Sequence, residues 1–325
     1  MNGTPTISVV SPVYGCTKCL DRLSEAVRGA FDGTGLAWEM VLVDDRGPDD
    51  PWTLICELSA ADPRIRGVRL ARNHGQHLAI WAGLAEARGD WVCVIDCDLQ
   101  DDPVIIPVLH AQAVAEGAEA VVVDRGSWSD STFRRLASNA LHRLMRSLGG
   151  VDIKNVGNFG LYSRRMVDTL LLYHEQEVFL PMMISLTGLK RQTWRLDRSG
   201  RAAGRSSYSL FRLVRMALAI IIRFSDRPLQ LSVIVGLALS LVSAAISLLL
   251  VAAWLEGAIT VPGWTSTVLS VWFLSGLIMA TLGVHGFYLG RIFAEVKARP
   301  RIVVETTTGP AGELVDTAGH VVRTD

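Results

Sequence analysis

From residue 228 to 255 the chain carries no Asp, Glu, Lys or Arg, and the same holds from 257 to 290. A helix needs about 20 apolar residues to cross a bilayer, so each stretch is long enough to hold one span. Two adjacent stretches of this length are the pattern of membrane spans rather than of a buried core helix. Flanking charge orients them. Arg212, Arg215, Arg223 and Arg227 precede the first, and Arg291, Lys297, Arg299 and Arg301 follow the second. The connector around Glu256 to Trp264 has no Lys or Arg. The positive-inside rule therefore puts both termini in the cytoplasm and the connector outside. Trp254, Trp264 and Trp272 fit an aromatic belt loosely. Residues 210–224 mix apolar side chains with Arg212, Arg215 and Arg223, the composition of a helix on the membrane surface or of an amphipathic helix packed on a domain.

The bulk numbers narrow the rest. Lys and Arg total 32, and so do Asp and Glu, so no global field favours nucleic acid as a partner. The mean hydropathy of +0.31 is high for a soluble enzyme, and the apolar excess lies near the C-terminus. The stretch Ile7-Ser8-Val9-Val10 is too short for a signal peptide and leads into a turn. Cys16, Cys19, Cys56, Cys93 and Cys97 all fall in the part assigned to the cytosol, where thiols stay reduced. Cys16-Thr17-Lys18-Cys19 has redox or zinc spacing, but no second Cys or His pair completes a site.

The first two hundred residues alternate strand and helix signals. Strands are predicted at 7–11, 40–43, 65–70, 91–95 and 120–123, and helices at 19–31, 76–87 and 104–116. This order implies an α/β fold, a mostly parallel sheet with helices on both faces. Beyond residue 126 a helix is predicted at 131–148, a strand at 157–162, helices at 164–173 and 179–187, and a strand at 192–196; residues 199–209 read as a loop. Ligands of such sheets bind outside the carboxyl ends of the strands. Two carboxylate pairs fall there: Asp44-Asp45 after the second strand, and Asp96 with Asp98 after the fourth. Carboxylates one residue apart at a strand end can offer oxygens to Mg²⁺ or Mn²⁺, which usually means that phosphate is being handled. There is no glycine-rich dinucleotide fingerprint after the first strand and no P-loop lysine, so a nucleotide is not held by a glycine cradle.

These residues resemble a known family. Ser11-Pro12-Val13-Tyr14, Val43-Asp44-Asp45, Arg72-Asn73-His74-Gly75-Gln76-His77, Ala82-Gly83-Leu84, Gly89-Asp90 and Asp96-Cys97-Asp98-Leu99-Gln100-Asp101 occur in the order seen in family-2 inverting glycosyltransferases of the GT-A fold. Within that family the chain is similar to the polyprenyl-phosphate glycosyltransferases, among them dolichol-phosphate mannose synthase, bactoprenol glucosyltransferases and the undecaprenyl-phosphate formamido-arabinose transferase. Gly204-Arg205-Ser206-Ser207-Tyr208-Ser209, Ser225-Asp226-Arg227-Pro228-Leu229 and the run from Leu289 to Pro300 also match bacterial members, so the likeness runs from about residue 6 to 304.

The resemblance implies roles. Asp96, Asp98 and Gln100 would hold a divalent metal and the donor diphosphate, and Pro12, Tyr14, Asp44, Asp45 and Asp96 would line the nucleotide pocket. Arg125, Arg134, Arg198 and Arg201 are candidates for the lipid phosphate or the diphosphate. Asp98 or Asp101 would be a base by analogy, although a phosphate acceptor with a second pKa of about 6 needs little help. His74 and His77, beside a helix start, are possible substrate contacts. The chain departs from the family in three places. Cys97 stands where Ala is common, Arg46-Gly47 where Gly-Ser is common, and Asn158 and Gly160 where Asp and Arg are common near the sugar pocket. Gln192-Thr193-Trp194-Arg195 does not match the motif of processive synthases, which also need more spans.

The expectation is a cytosolic GT-A domain at 1–208, an interface helix at 209–227, two transmembrane helices at 228–291 and a cytosolic tail at 292–325. Its activity would be inverting, metal-dependent transfer of one sugar from a nucleotide-sugar donor to polyprenyl phosphate at the cytoplasmic (inner) membrane, feeding cell-envelope glycan or lipid modification. Family analogy adds a homo-oligomer. The alternatives are a transferase acting on a hydroxyl-bearing lipid, which would require a true base, and a non-catalytic membrane protein.

Overall fold

β1 (Ile7–Val13) is buried along its whole length, with Ile7, Val9 and Val13 turned to one apolar core and Val10 to another. A strand that is apolar on both faces belongs inside a sheet covered on both sides. In the computed structural model, which describes residues 4–124, 158–176, 178–195, 227–256, 263–308, 314–316 and 321–322, β1 has that place. β2 (Trp38–Asp44), β3 (Ile65–Leu70) and β4 (Trp91–Val94) run parallel with it in the order β3-β2-β1-β4. On one side follow β6, β5 and β7, where β5 is Ala120–Asp124, β6 is Gly160–Ser163 and β7 is Arg191–Arg195. β6 is antiparallel to both of its neighbours, and β7 is parallel to β5. On the other side β8 (Val304–Thr308), β9 (Leu314–Asp316) and β10 (Val321–Val322) are added antiparallel in turn. Among the described residues seven of the ten strands point the same way.

Helices close both faces. α1 (Leu20–Phe31), α2 (Trp52–Ala61) and α4 (Ile106–Glu116) bury Leu23, Val27, Ile55 and Leu109 with Ile7 and Val9. α3 (Gln76–Glu86), α5 (Arg164–Leu171) and α6 (Leu180–Leu186) bury Ile80, Leu84, Val167 and Met183 with Val10. The predicted helix at 104–116 opens with a 3₁₀ turn at Pro103–Ile105, capped by the Asp102 side chain on the Val104 N–H. α2 was not predicted. Its buried side is Trp52, Ile55 and Ser59, and the polar Ser59 hides the helical spacing.

The sheet unit is made of Met1–Ser129, Ile153–Ala203 and Arg299–Asp325. The reading of 292–325 as a tail therefore needs correction, because the chain returns at β8 to pair with β3. Nothing local announces this strand: Val304-Glu305-Thr306-Thr307-Thr308 has no apolar alternation. What holds it is polar and buried. The Thr308 hydroxyl oxygen accepts from the Gly67 N–H at 2.7 Å and from the Ser59 hydroxyl at 2.9 Å.

The second unit comprises Asp130–Asp152 and Gly204–Ala298. Its described part is two helices, α7 (Arg227–Leu255) of 29 residues and α8 (Trp264–Val296) of 33. Leu241, Leu248, Ile278 and Phe287 stand exposed on them. Among the described residues Phe273–Val296 is long and apolar enough to cross a membrane. His285 Nδ1 lies 2.8 Å from the Thr281 carbonyl oxygen of the same helix. The predicted helices at 131–148 and 210–224 and the loop at 199–209 lie outside the described residues.

Asp62 locks the end of α2 to its surroundings. Its buried carboxylate accepts from Arg64 Nε at 2.9 Å, from the Arg64 N–H at 3.0 Å and from Arg28 of α1 at 3.0 Å. The Arg64 hydrogen bonds hold its pKa down at about 2, from an ordinary 3.8. A depressed folded-state pKa stabilises the fold above the ordinary value and loses that contribution as pH falls toward 2. Asp62→Asn is expected to cost about 1–2 kcal/mol at pH 7 and much less near pH 2. Denaturant unfolding of the detergent-solubilised protein at the two pH values checks this.

Candidate active site

In the order β3-β2-β1-β4 the strands are added on one side of β1 and then on the other, and such a switch point opens a crevice at the strands' carboxyl ends. Three segments emerge there side by side. The pairing of Val13 with Asp44 and the hydrogen bond from the Asp45 N–H to the Val13 carbonyl (3.1 Å) bring the ends of β1 and β2 level. The bond from the Ile95 N–H to the Val10 carbonyl (3.0 Å) carries β4 on to Asp96. The result is a cleft of about 640 Å³ whose lining includes Pro12, Tyr14, Asp45, Gln76, Asp96 and Asp98.

Asp45 organises one wall. Its two carboxylate oxygens accept from the backbone N–H groups of His74 (2.7 Å) and Gly75 (2.9 Å). Burial raises its pKa above the ordinary carboxylate value, and those two N–H groups partly offset the rise. Gly75 stands just before α3 at φ 89° and ψ 157°, a region open essentially to glycine alone. The next residue, Gln76, donates from Nε2 to Asp96 Oδ1 at 2.6 Å. One short loop thus links the carboxylate after β2 to the carboxylate after β4.

Asp98 sits in a tight turn. Leu99 has φ 59°, and the Gln100 N–H donates to Asp98 Oδ1 at 3.1 Å. Asp98 is exposed, whereas Cys97 between the two acids is buried. The Cys16 thiol donates to the Cys97 carbonyl oxygen at 3.3 Å. Burial pushes the Cys16 and Cys97 thiols well up, so both stay protonated and neither is poised as a thiolate ligand.

Of the residues singled out in the sequence, Pro12, Tyr14, Asp45, Asp96 and Asp98 line one cleft. Gln100 is exposed next to it. Asp44 faces away: 1% exposed, it accepts from the Arg46 N–H at 2.9 Å and pairs with Arg69 Nε at 3.3 Å. Asp101 is 2% exposed and is not among the lining residues. Arg125, Arg134, Arg198 and Arg201 lie outside the described residues. His77 packs edge-on against Phe179 at 5.0 Å and is not among the lining residues, and burial lowers its pKa. Sequence reasoning missed Gln76 and Asn73 as lining residues. The signal lies in the segment from Arg72 to His77, where the sequence points to the two histidines and the structure brings Asn73 and Gln76 to the cleft.

The donor set suits a hard divalent cation. Asp96 and Asp98 present carboxylates from one turn, and Mg²⁺ or Mn²⁺ is commonly held by one or two carboxylates completed by substrate phosphates. Among the described residues no group of three or more His, Cys, Asp or Glu side chains forms a closed metal cage. A cation here would be shared with a ligand's oxygens.

Residues 8–171 match the family described as glycosyl transferase family 2. The chain is similar to the undecaprenyl-phosphate 4-deoxy-4-formamido-L-arabinose transferase of Salmonella paratyphi A, 32% identical over 324 residues that cover 97% of each chain. The transferase of the same name from Salmonella enteritidis PT4 is 32% identical over 314 residues, 94% of each chain. Among solved structures the chain is similar to a mannosyltransferase of Pyrobaculum calidifontis in complex with GDP-Man and Mn²⁺. That likeness has a TM-score of 0.47 and 16% identity over 92% of this chain and 89% of the other.

The backbone at Gly75 gives a stability test of the wall. Gly75→Ala places a Cβ at φ 89° and is expected to cost about 1–3 kcal/mol. Leu99→Gly, at φ 59°, is expected to be near neutral, within about 1 kcal/mol, because relief of the left-handed strain offsets the added chain entropy. Thermal unfolding of both variants beside the parent chain checks the contrast.

Proposed function

The chain belongs to glycosyl transferase family 2 and is a glycosyltransferase, and we propose that it moves a single sugar, with inversion, from a nucleotide sugar to undecaprenyl phosphate at the cytoplasmic face of the inner membrane. The observation that carries this reading is the meeting of Pro12, Tyr14, Asp45, Asp96 and Asp98 in one cleft at the ends of adjacent strands. The acceptor is inferred from likeness to transferases named for undecaprenyl phosphate along nearly the whole chain. In this reading the product feeds cell-envelope glycan or lipid modification.

Each residue then has a task. Tyr14, with 56% of its surface exposed, offers a ring face to the nucleotide base. Asp45 keeps the loop before α3 in place beneath the donor, and Gln76 fixes Asp96. Asp96 and Asp98 would hold Mg²⁺ or Mn²⁺, which when bound supplies Lewis-acid stabilisation to the leaving diphosphate. Inversion follows from a single displacement. An acceptor phosphate oxygen bonds the anomeric carbon as the nucleoside diphosphate leaves from the opposite face. The acceptor is largely dianionic at neutral pH, so it needs no strong base. The burial of Asp101 away from the cleft lining favours this acceptor over a hydroxyl-bearing lipid. Arg125, Arg134, Arg198 and Arg201 are proposed to neutralise the phosphates that must approach one another.

The lipid is met at the membrane. α7 and α8 are proposed as two spans, with both termini and the catalytic unit on the cytoplasmic side. The pairing of β8 with β3 supports an even number of crossings, because it joins the chain before α7 to the chain after α8 in one sheet.

The test uses membranes containing the full chain, a panel of labelled nucleotide sugars, undecaprenyl phosphate, and Mg²⁺ or Mn²⁺. A lipid-linked monosaccharide is expected, lost on chelation and restored by the metal. Asp98→Asn is expected to lower kcat at least about 100-fold, the scale set by losing charge stabilisation of a leaving group. No product across the panel with metal present overturns the proposal, and a product on diacylglycerol alone reassigns the acceptor.

A further inference from the structure

Two non-glycine residues with positive φ stand close together after β2: Arg46 at φ 56° and Asp50 at φ 42°. Such conformations persist only where the surroundings over-determine them. Here the surroundings are two arginines and the C-terminal strand. Arg46 Nε donates to the Leu70 carbonyl oxygen at 2.9 Å, and its guanidinium pairs with Glu305 of β8. Arg69 reaches Asp50 at 3.1 Å, Asp44 at 3.3 Å and the same Glu305 carboxylate at 3.7 Å.

The strained loop in turn backs the cleft. Gly47 packs so closely on the segment after β1 that a Cβ there would lie 2.8 Å from the Gly15 nitrogen and 3.3 Å from the Tyr14 Cα. Asp49 Oδ2 accepts from the Thr17 N–H at 2.8 Å and from the Thr17 hydroxyl at 2.7 Å. Tyr14, Gly15 and Cys16 are lining residues of the cleft. A continuous chain of contacts therefore runs from Glu305, through Arg46 and Arg69, to the loop at 46–50 and on to Tyr14.

We propose that Glu305 is a positioning residue of the donor site: the C-terminal strand holds the loop after β2, and through it Tyr14, in the shape that receives the nucleotide. Removing its charge takes away the carboxylate that Arg46 and Arg69 share and leaves Arg69 paired with Asp44 and Asp50. The Glu305 side chain is 44% exposed, so its pairs add little to global stability. Their effect is local, on a loop whose backbone is strained. The donor part of this inference rests on the function proposed above.

The experiment uses the full chain in detergent with Glu305→Gln and the charge-conserving Glu305→Asp. Amide exchange of peptides covering 44–50 and 14–17 tests the loop without reference to activity. Binding of UDP, GDP and CDP in the presence of Mn²⁺ tests the donor site. Glu305→Gln is expected to speed exchange in both segments severalfold, leave the rest of the sheet unchanged, and weaken nucleotide binding about fivefold, with donor KM rising more than kcat falls. Glu305→Asp, which keeps the charge, is expected to retain most of the parent behaviour in both measurements. Unchanged exchange at 44–50, or exchange that rises evenly across the sheet, overturns the inference. A parent chain that binds none of the nucleotides removes the donor reading, while exchange at 44–50 still decides whether β8 holds the loop.

Discussion

The parallel pairing of β1 with β2 on one side and β4 on the other is the constraint on which the site depends. β1 is apolar on both faces, so it is stable only between neighbours and beneath helices on both sides. Parallel register then leaves no freedom in where three strands end. Val13 and Asp44 come out level, Ile95 follows one step beyond the pairing of Val10 with Val94, and the residues after these three ends are brought into one crevice. None of those residues needs to attract another. The acids at 45, 96 and 98 are gathered against their mutual repulsion by a ladder whose energy comes from burying Ile7, Val9, Met40 and Val94.

That gathering explains the electrostatics of the cleft. Asp45 is buried and satisfied by two backbone N–H groups, Asp96 is tied to Gln76, and Asp98 is left exposed. The acids grade from structural to available along the crevice, so a cation and a diphosphate would find their carboxylate at the outer end. The protonated thiols of Cys16 and Cys97 fill the space between the β1 and β4 turns without adding charge. A third acid at position 97 would add a further like charge to the same turn, whereas the sulfur there packs as a small apolar group.

Most of the central fold was legible because its signals are local. Residues 65–70 and 76–87 were read almost as they stand, since burial on both strand faces and helical spacing are written in adjacent residues. The failures share one cause, a partner far along the chain. α2 contributes Ser59 to its buried side, and that hydroxyl makes sense only beside Thr308. β8 reads as a polar tail until Gly67 is placed against it. Asp44 and Asp45 are equivalent in sequence, yet successive side chains leave opposite faces of a strand. That parity sends one to Arg69 and the other to the cleft. Gln76 became part of the site through an acid twenty residues away, a distance no local pattern reports.

The return of the chain to its own sheet also bears on how the protein meets a bilayer. β3 precedes the apolar helices and β8 follows them, and the two are neighbours in one ladder, with Val68 opposite Thr307. A sheet cannot be divided across a membrane, because its edge would expose unpaired N–H and C=O groups to hydrocarbon. If Phe273–Val296 crosses, then a second crossing must bring the chain back, and α7, which has no Asp, Glu, Lys or Arg from residue 228 to 255, is the described helix that precedes it. Two such tethers would restrict the rotation of a domain more than a single anchor. They would also keep such a domain at a high effective concentration of any substrate whose tail lies in the bilayer. The strand that follows the second helix in the chain carries Glu305, whose carboxylate pairs with Arg46 of the loop packed behind Tyr14.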